Sequence, residues 1–147
     1  MLSTARKLAR SANRPRQTDL KRAVSTAYYA IFNFLAKECA DILVGTGQAR
    51  NYPCWRHVHR ALDHGFAKNA CERVANLRFP PQIVQFATAF IAMQEQRHTA
   101  DYDRTSRFTR AEVISLIDGV EQAITDYKAT PRPDKLAFAV LVLLKLR

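Results

Sequence analysis

Glycine and cysteine are both scarce in this sequence. The chain has four glycines in 147 residues, and the GTG at residues 45–47 is too short to hold a phosphate. Nothing after it matches a P-loop or a dinucleotide-binding fingerprint. The three cysteines, Cys39, Cys54 and Cys71, form no CxxC pair, and an odd number is not expected of a secreted disulfide framework. We therefore expect a protein of the reducing cytoplasm.

Long apolar runs are missing as well. The longest, at residues 136–144, has nine residues, whereas a membrane-spanning helix needs about 20. No serine lies in a nucleophile-elbow pattern, and no pair of carboxylates suggests glycoside hydrolysis. We expect neither membrane insertion nor these hydrolytic chemistries.

Acidic residues are few relative to basic ones. Lys and Arg number 23 against 13 acids, which gives a formal charge of +10 and a pI near 10.0. With 48% hydrophobic and 24% charged residues, the composition is that of an ordinary globular domain. Such a charge favours nucleic acid, an acidic protein or an anionic membrane surface as a partner, and charge alone does not separate the three. We favour nucleic acid.

One stretch, residues 18–44, contains no Gly or Pro and is predicted to be the central helix. Its apolar residues recur at steps of three and four, and around residues 27–35 the segment is apolar on nearly all sides. Thr18 and Asp19 are candidate N-caps, and Gly45 is expected to end the helix. The stripe comprises Leu20, Val24, Ala27, Tyr28, Ile31, Leu35, Cys39 and Ile42.

Further helices are predicted on both sides of this segment. Periodicity and caps place them at residues 2–12, 53–77, 81–103 and 109–128. Gly65 is a possible breakpoint in the second of these, and Thr109 is the expected cap of the last. Residues 1–18, with five basic residues and no acid, also have the composition of a mitochondrial transit peptide, but we favour the helix. After a linker at residues 130–133, the apolar C-terminal segment is predicted to be a last helix.

These elements predict an all-α, up-and-down bundle of about five to six helices. Residues 1–128 are expected to form the bundle. Residues 129–147 would supply a linker and an apolar segment that packs either on the bundle or on a dimer mate.

The most informative polar segment is residues 95–104, EQRHTADYDR. Helical spacing is expected to place Arg97, Asp101 and Arg104 on one face, with His98 and Tyr102 on the neighbouring face. A guanidinium can hold a phosphate and an imidazole can move a proton near neutral pH, so RNA could be cleaved through its own 2′-hydroxyl without a metal. The plainer interpretation is a solvated helix end in which Arg97 pairs with Asp101.

A second polar segment is PCWRHVHRALDH, residues 53–64. On one continuous helix, Cys54, His57 and His64 would share a face and could bind zinc, but the spacing matches no standard zinc site. We favour a basic face formed by Arg56, His57, His59 and Arg60, which contacts either phosphate or only solvent. No metal and no cofactor are expected.

Two motifs carry a family resemblance. AVSTAYYAIF at residues 23–32 resembles the AxSRAYYAxF segment of HEPN domains, and RHTADYD at residues 97–103 resembles the RxxADYD stretch of one HEPN subgroup. HEPN domains are small helical bundles found in prokaryotic RNases, toxin components and partners of minimal nucleotidyltransferases. The resemblance implies a HEPN-type bundle and a homodimer whose Arg-bearing helix ends face each other across a positive cleft.

The resemblance also implies roles for individual residues. The catalytic HEPN motif is an Arg, then usually Asn, Asp or His, and then a His that is separated from the Arg by four to six residues. Arg97 and His98 fill the first two places. Positions 102–104 are Tyr, Asp and Arg, so the last place is not filled. Either His98 and Tyr102 replace the missing imidazole, or the chain has kept the fold and lost the reaction. In related toxins a Tyr near this motif receives AMP from the partner nucleotidyltransferase, which points to Tyr102.

The charge and the resemblance together predict an RNA-binding protein. The resemblance implies that it is the toxin-like half of a pair with a nucleotidyltransferase and that, if it is an enzyme, it is a metal-independent endoribonuclease. Arg97 would hold the phosphate, His98 would move the proton and Tyr102 would support them. The alternative is a non-catalytic HEPN module that binds a nucleotidyltransferase or another acidic protein. The expected RNA contacts are Arg104, Arg56, His57 and Arg60.

Overall fold

The computed structural model describes residues 1–147, and all of its regular structure is helical. This confirms the all-α prediction, with seven α-helices and one short 3-10 turn at Val74–Asn76 in place of the five to six helices expected. The α-helices are α1 (Leu2–Ala9), α2 (Gln17–Val44), α3 (Tyr52–Ala61), α4 (His64–Arg73), α5 (Pro81–Tyr102), α6 (Arg110–Lys128) and α7 (Arg132–Leu143).

Helix α2 is central, as predicted, and packs against α1, α3, α5, α6 and α7. Eleven of its residues are buried, including Tyr28, Ile31 and Leu35. The predicted caps Thr18 and Asp19 are wrong, because the helix begins one residue earlier, after Arg16. The cause is tertiary: the Gln17 side chain donates to the Phe108 carbonyl and accepts from the Phe108 N–H, each at 2.8 Å. The helix ends at Gly45, whose φ of 110° favours glycine.

The predicted helix at residues 53–77 is in fact two helices. It divides at Leu62 and Asp63, where Asp63 caps α4 by accepting a hydrogen bond from the Phe66 N–H at 2.8 Å. Gly65, the expected breakpoint, lies inside the first turn of α4. At the other end, Asn51 caps α3 in the same way. The division turns α4 away from the course of α3 and lets Leu62 enter the core.

The ends of the bundle are held by capping and ion pairs. Thr109 caps α6 as predicted and forms a reciprocal capping box with Glu112. Helix α1 is shorter than expected but buries Ala5 and Ala9, and its Arg6 pairs with Asp118 and Glu121 of α6. These contacts join the N-terminal helix to the bundle.

The C-terminal segment forms α7, so the choice of helix over strand is confirmed. Phe138, Ala139 and Val142 belong to the same hydrophobic core as α2 and α5. The Phe138 ring lies edge-on to Phe86, with centroids 6.0 Å apart. Because the helix begins at Arg132, the linker expected at residues 130–133 is shorter than predicted. Part of the apolar surface of α7 is therefore covered within the chain, whereas Leu136, Val140 and Leu144 are exposed.

No helix combines the length and the apolar character that crossing a membrane requires.

The core position of α7 can be tested with Phe138, whose side chain is fully buried. We expect Phe138→Ala to lower the free energy of unfolding by about 3–5 kcal/mol, because it removes buried ring surface and leaves a cavity. Urea unfolding followed by circular dichroism measures the change. Leu146→Ala is the control, because Leu146 is 80% exposed and should change stability by less than about 0.5 kcal/mol. Equal stability of both variants would contradict the packing of α7.

Candidate functional site

Arg97 lies near the end of α5 and turns towards α2. Its Nη2 donates a hydrogen bond to the Tyr29 hydroxyl at 3.0 Å, and its Nε lies 3.1 Å from Asp101 Oδ2 in an ion pair. The guanidinium carbon lies 5.4 Å from the ring centroid of Tyr28 and 5.5 Å from that of Tyr29. The Arg97 side chain is 19% exposed, so the predicted pair with Asp101 forms, but the guanidinium is more enclosed than at a solvated helix end.

The charge on Arg97 is preserved in this setting. Burial alone would lower the pKa of Arg97, but the hydrogen bond to Tyr29 and the negative charge of Asp101 outweigh it, and the pKa is raised. The ring faces of Tyr28 and Tyr29 add a favourable cation–π interaction. Arg97 is therefore a permanently charged group held between α2 and α5.

His64 joins this group, which sequence reasoning did not foresee. It is the first residue of α4, and its Nδ1 is hydrogen-bonded to the Tyr28 hydroxyl at 2.5 Å. Its ring stacks on Phe32 with centroids 3.9 Å apart. Sequence reasoning had placed His64 on one helix with Cys54 and His57, and only the turn at Asp63 brings it to Tyr28. We call Tyr28, Tyr29, His64 and Arg97 the polar cluster.

The polar cluster favours a neutral His64. Burial lowers the pKa of His64, and the positive charge of Arg97 lowers it further, while Asp63 acts in the opposite direction. Burial also raises the pKa of Tyr28, so the phenol stays protonated near neutral pH. The Tyr28 hydroxyl is thus bonded to a neutral imidazole, and the Tyr29 hydroxyl to a charged guanidinium.

His98 and Tyr102 form the predicted pair one helical turn apart, with ring centroids 4.8 Å apart. They lie on a different face from Arg97, because successive residues of an α-helix are about 100° apart around its axis. His98 is exposed and borders a depression of about 380 Å³ with Lys68 and Glu95, and Arg97 does not line it. Within one chain, the structure does not bring Arg97 and His98 into one site.

Arg104 is also separate from Arg97. Helix α5 ends at Tyr102, and the Asp103 carboxylate accepts hydrogen bonds from the backbone N–H and the hydroxyl of Thr105 at 2.9 and 2.7 Å. This turn removes Arg104 from the helical spacing, so the expected common face with Arg97 and Asp101 is wrong. Arg104 is exposed beyond the helix end.

A groove of about 490 Å³ runs beside the polar cluster, between the start of α2 and the end of α5. Lys21, Arg22 and Ser25 line it together with Tyr29 and Asp101. Tyr29 is the link between this groove and Arg97, because its ring borders the groove and its hydroxyl binds the guanidinium. The groove offers an anionic ligand a basic approach to the polar cluster.

The predicted basic face on α3 does come together. Arg56, His57 and Arg60 line a depression of about 300 Å³ with Tyr52 and Pro53. Helix α3, YPCWRHVHRA, contains no acidic residue and no buried residue. We call Tyr52, Arg56, His57 and Arg60 the α3 face.

The structure does not place the three candidate zinc ligands on one helix. Cys54 and His57 lie on α3, whereas His64 lies on α4 and is bonded to Tyr28. No group of three or more His, Cys, Asp or Glu side chains is placed to hold a metal ion. The expectation that the three residues share one helical face is therefore wrong.

The low pKa of His64 predicts a pH-dependent stability. The unfolded chain binds a proton at His64 more readily than the folded chain. The contribution of neutral His64 to the free energy of unfolding is therefore complete above a pH of about 6.5, and it is lost as the pH falls through the lowered pKa of His64 in the folded state. We expect His64→Gln to flatten the dependence of the unfolding free energy on pH between about 7.5 and 5. Urea unfolding at several pH values measures the slope.

His98→Gln is the matched control for this experiment, because it removes an exposed imidazole from the same part of the fold. It should keep the wild-type slope. A wild-type slope in His64→Gln would show that His64 is not the group that burial and Arg97 keep neutral.

The structure therefore offers two separate surfaces, the polar cluster with its basic groove and the α3 face. No protein-family model matches the chain, and no curated protein or solved structure is significantly similar to it. Function has to be inferred from the chemistry of these two surfaces.

Proposed function

We propose that this chain is an RNA-binding protein with a HEPN-like fold. The observation that carries the proposal is the α3 face, where three basic side chains meet in one depression on a helix without acids. Neither Arg56 nor Arg60 belongs to any ion pair of the structure. Their charge is available to phosphate, and guanidinium groups suit phosphate oxygens geometrically.

The distribution of acids supports the same conclusion. The carboxylates that form ion pairs lie on other helices, although one of them, Asp41 of α2, also accepts a hydrogen bond from Trp55 of α3. The others are Asp118 and Glu121 on α6, Glu72 on α4, and Glu95 and Asp101 on α5. Arg56 and Arg60 on α3, and Lys21 and Arg22 in the groove, are among the cations of this +10 chain that form no ion pair. A polyanion is the partner that this pattern fits.

A second candidate function is metal-independent RNA cleavage at Arg97. The observation that favours it is the polar cluster, which holds a charged guanidinium and a neutral imidazole near a basic groove. Arg97 would bind the scissile phosphate, and an imidazole would take the 2′-hydroxyl proton. Participation of His98 and Tyr102 needs a second chain, because one chain holds them on another face. The homodimer implied by the HEPN resemblance would supply that chain.

The non-catalytic alternative also has structural support. Arg97 is engaged by Tyr29 and Asp101, and no histidine fills the third place of the HEPN motif. Tyr102 is 67% exposed, so its hydroxyl is open to modification with AMP by a nucleotidyltransferase. In that case the chain would bind RNA or an acidic partner without cutting.

RNA binding through the α3 face predicts a specific salt dependence. We expect Arg56→Ala/Arg60→Ala to weaken binding to single-stranded RNA and to reduce the slope of log affinity against log salt by about 1.4, because each lost phosphate contact contributes about 0.7. Fluorescence anisotropy with labelled RNA at several salt concentrations measures this slope.

The matched control is Lys145→Ala/Arg147→Ala, which removes the same charge from the exposed end of the chain. It should leave most of the slope intact. Equal losses in the two double variants would mean that net charge, and not the α3 face, determines binding.

Cleavage predicts a second result. Incubation with single-stranded RNA in EDTA should produce fragments, and Arg97→Ala should slow the reaction by about 100-fold or more, because it removes the group that stabilises charge on the phosphate. Gel electrophoresis of end-labelled RNA measures the rate. Arg104→Ala, outside the helix, should retain most of the rate. RNA that is bound but left intact by the wild type would favour the non-catalytic module.

A further inference from the structure

Three aromatic rings form a row along α3. Tyr52 and Trp55 are nearly parallel, at 12° with centroids 6.0 Å apart, and Trp55 and His59 lie at 21° with centroids 5.1 Å apart. Their positions are three and four residues apart, which places them on one side of the helix. Tyr52 is exposed, whereas Trp55 and His59 are half-buried, so the row runs along the edge of the bundle and only Tyr52 is open to solvent.

The row is held in place before any ligand arrives. The Trp55 indole N–H donates to Asp41 Oδ1 at 2.9 Å, which fixes the indole against α2. The Arg50 guanidinium lies 5.6 Å from the Tyr52 centroid and 5.2 Å from that of Trp55, and it donates to the Gly47 carbonyl at 2.9 Å. A ring held this way loses little freedom when a ligand stacks on it.

Tyr52 joins the aromatic row to the cations. It is 52% exposed, stacks on Trp55, and lines the same depression as Arg56 and Arg60. The Arg56 guanidinium also lies 6.0 Å from its ring centroid. The exposed Tyr52 ring thus contacts both the Trp55 ring and the Arg56 guanidinium.

We propose that the α3 face binds single-stranded RNA, with an unpaired base stacked on Tyr52 and the adjoining phosphates on Arg56 and Arg60. The inference rests on the proposed RNA-binding function and specifies its substrate class. Proteins that bind single strands combine a positive surface with aromatic rings on which successive bases stack. In a duplex the base faces are occupied by neighbouring bases, so only the phosphates would remain for contact.

An acidic protein would use only part of this surface. Its carboxylates could pair with Arg56 and Arg60, but a carboxylate is not an aromatic ring that can stack on Tyr52. The exposed ring and its ordered neighbours therefore favour a ligand that has flat rings and negative charges at short intervals, which is the chemistry of a single-stranded nucleic acid.

The test compares a labelled oligoadenylate of about 12 nucleotides with an RNA duplex of equal length and with polyglutamate. Affinity is measured by anisotropy, and Trp55, the single tryptophan of the chain, reports by its fluorescence whether binding occurs next to Tyr52. The variants are Tyr52→Ala, Tyr52→Phe and Arg56→Ala/Arg60→Ala. Thermal unfolding checks that each variant is folded.

We expect oligoadenylate, but not polyglutamate, to quench Trp55. Tyr52→Ala should weaken oligoadenylate binding by about tenfold and leave duplex binding nearly unchanged, and Tyr52→Phe should keep the wild-type affinity because the ring remains. Arg56→Ala/Arg60→Ala should weaken the binding of both RNAs.

Two results would overturn the inference in distinguishable ways. If Tyr52→Ala affects single strand and duplex alike, or neither, while Arg56→Ala/Arg60→Ala still weakens both, RNA binding stands but base stacking does not. If the wild type binds neither RNA at low salt, or binds polyglutamate as tightly as oligoadenylate, the RNA-binding function itself is wrong.

Discussion

The burial of α2 is the constraint on which the other elements depend. Five helices pack against it, and small residues such as Ala23, Ala27 and Ala40, all fully buried, let their backbones approach closely. Larger side chains, Ile31 and Leu35 among them, fill the space between helices and supply the apolar area that drives folding. Because α2 is enclosed on nearly all sides, its few polar side-chain atoms must form hydrogen bonds with groups on the helices around it.

Two adjacent tyrosines of α2 carry that constraint to the polar cluster. Tyr28 is fully buried, and its hydroxyl is bonded to His64. Tyr29, one position on, is half-buried and binds Arg97 while bordering the basic groove. Because the two rings come from the helix that five others contact, α4 and α5 must place His64 and Arg97 to match them. The AYYAIF segment thus positions polar groups as well as filling the core.

The sequence predicted the features that depend on local periodicity. The span of α2, the Thr109 cap, the Arg97–Asp101 pair and the His98–Tyr102 pair all follow from spacings within one helix. Features set by tertiary contacts were missed. Gln17 bonds to a residue 91 positions away and shifts the start of α2, and the Asp63 cap turns the chain and carries His64 to Tyr28. The Asp at position 63 was a usable signal for a helix start. Nothing in the sequence indicated that His64, the next residue, would bond to Tyr28 on α2.

The ion pair with Asp101 bears on whether Arg97 can serve a ligand. An exposed pair four residues apart contributes about 0.3–0.5 kcal/mol, but here the Arg97 side chain is only 19% exposed and the Asp101 side chain 32%, so this pair is more enclosed than that case. The groove lined by Lys21 and Arg22 reaches Tyr29 and Asp101 but not Arg97, and the Arg97 Nε is buried. A phosphate in the groove would therefore meet Asp101 before it could contact the guanidinium. The interaction with Asp101 thus keeps the guanidinium oriented when no ligand is present, and a ligand in the groove would reach Arg97 only by displacing Asp101.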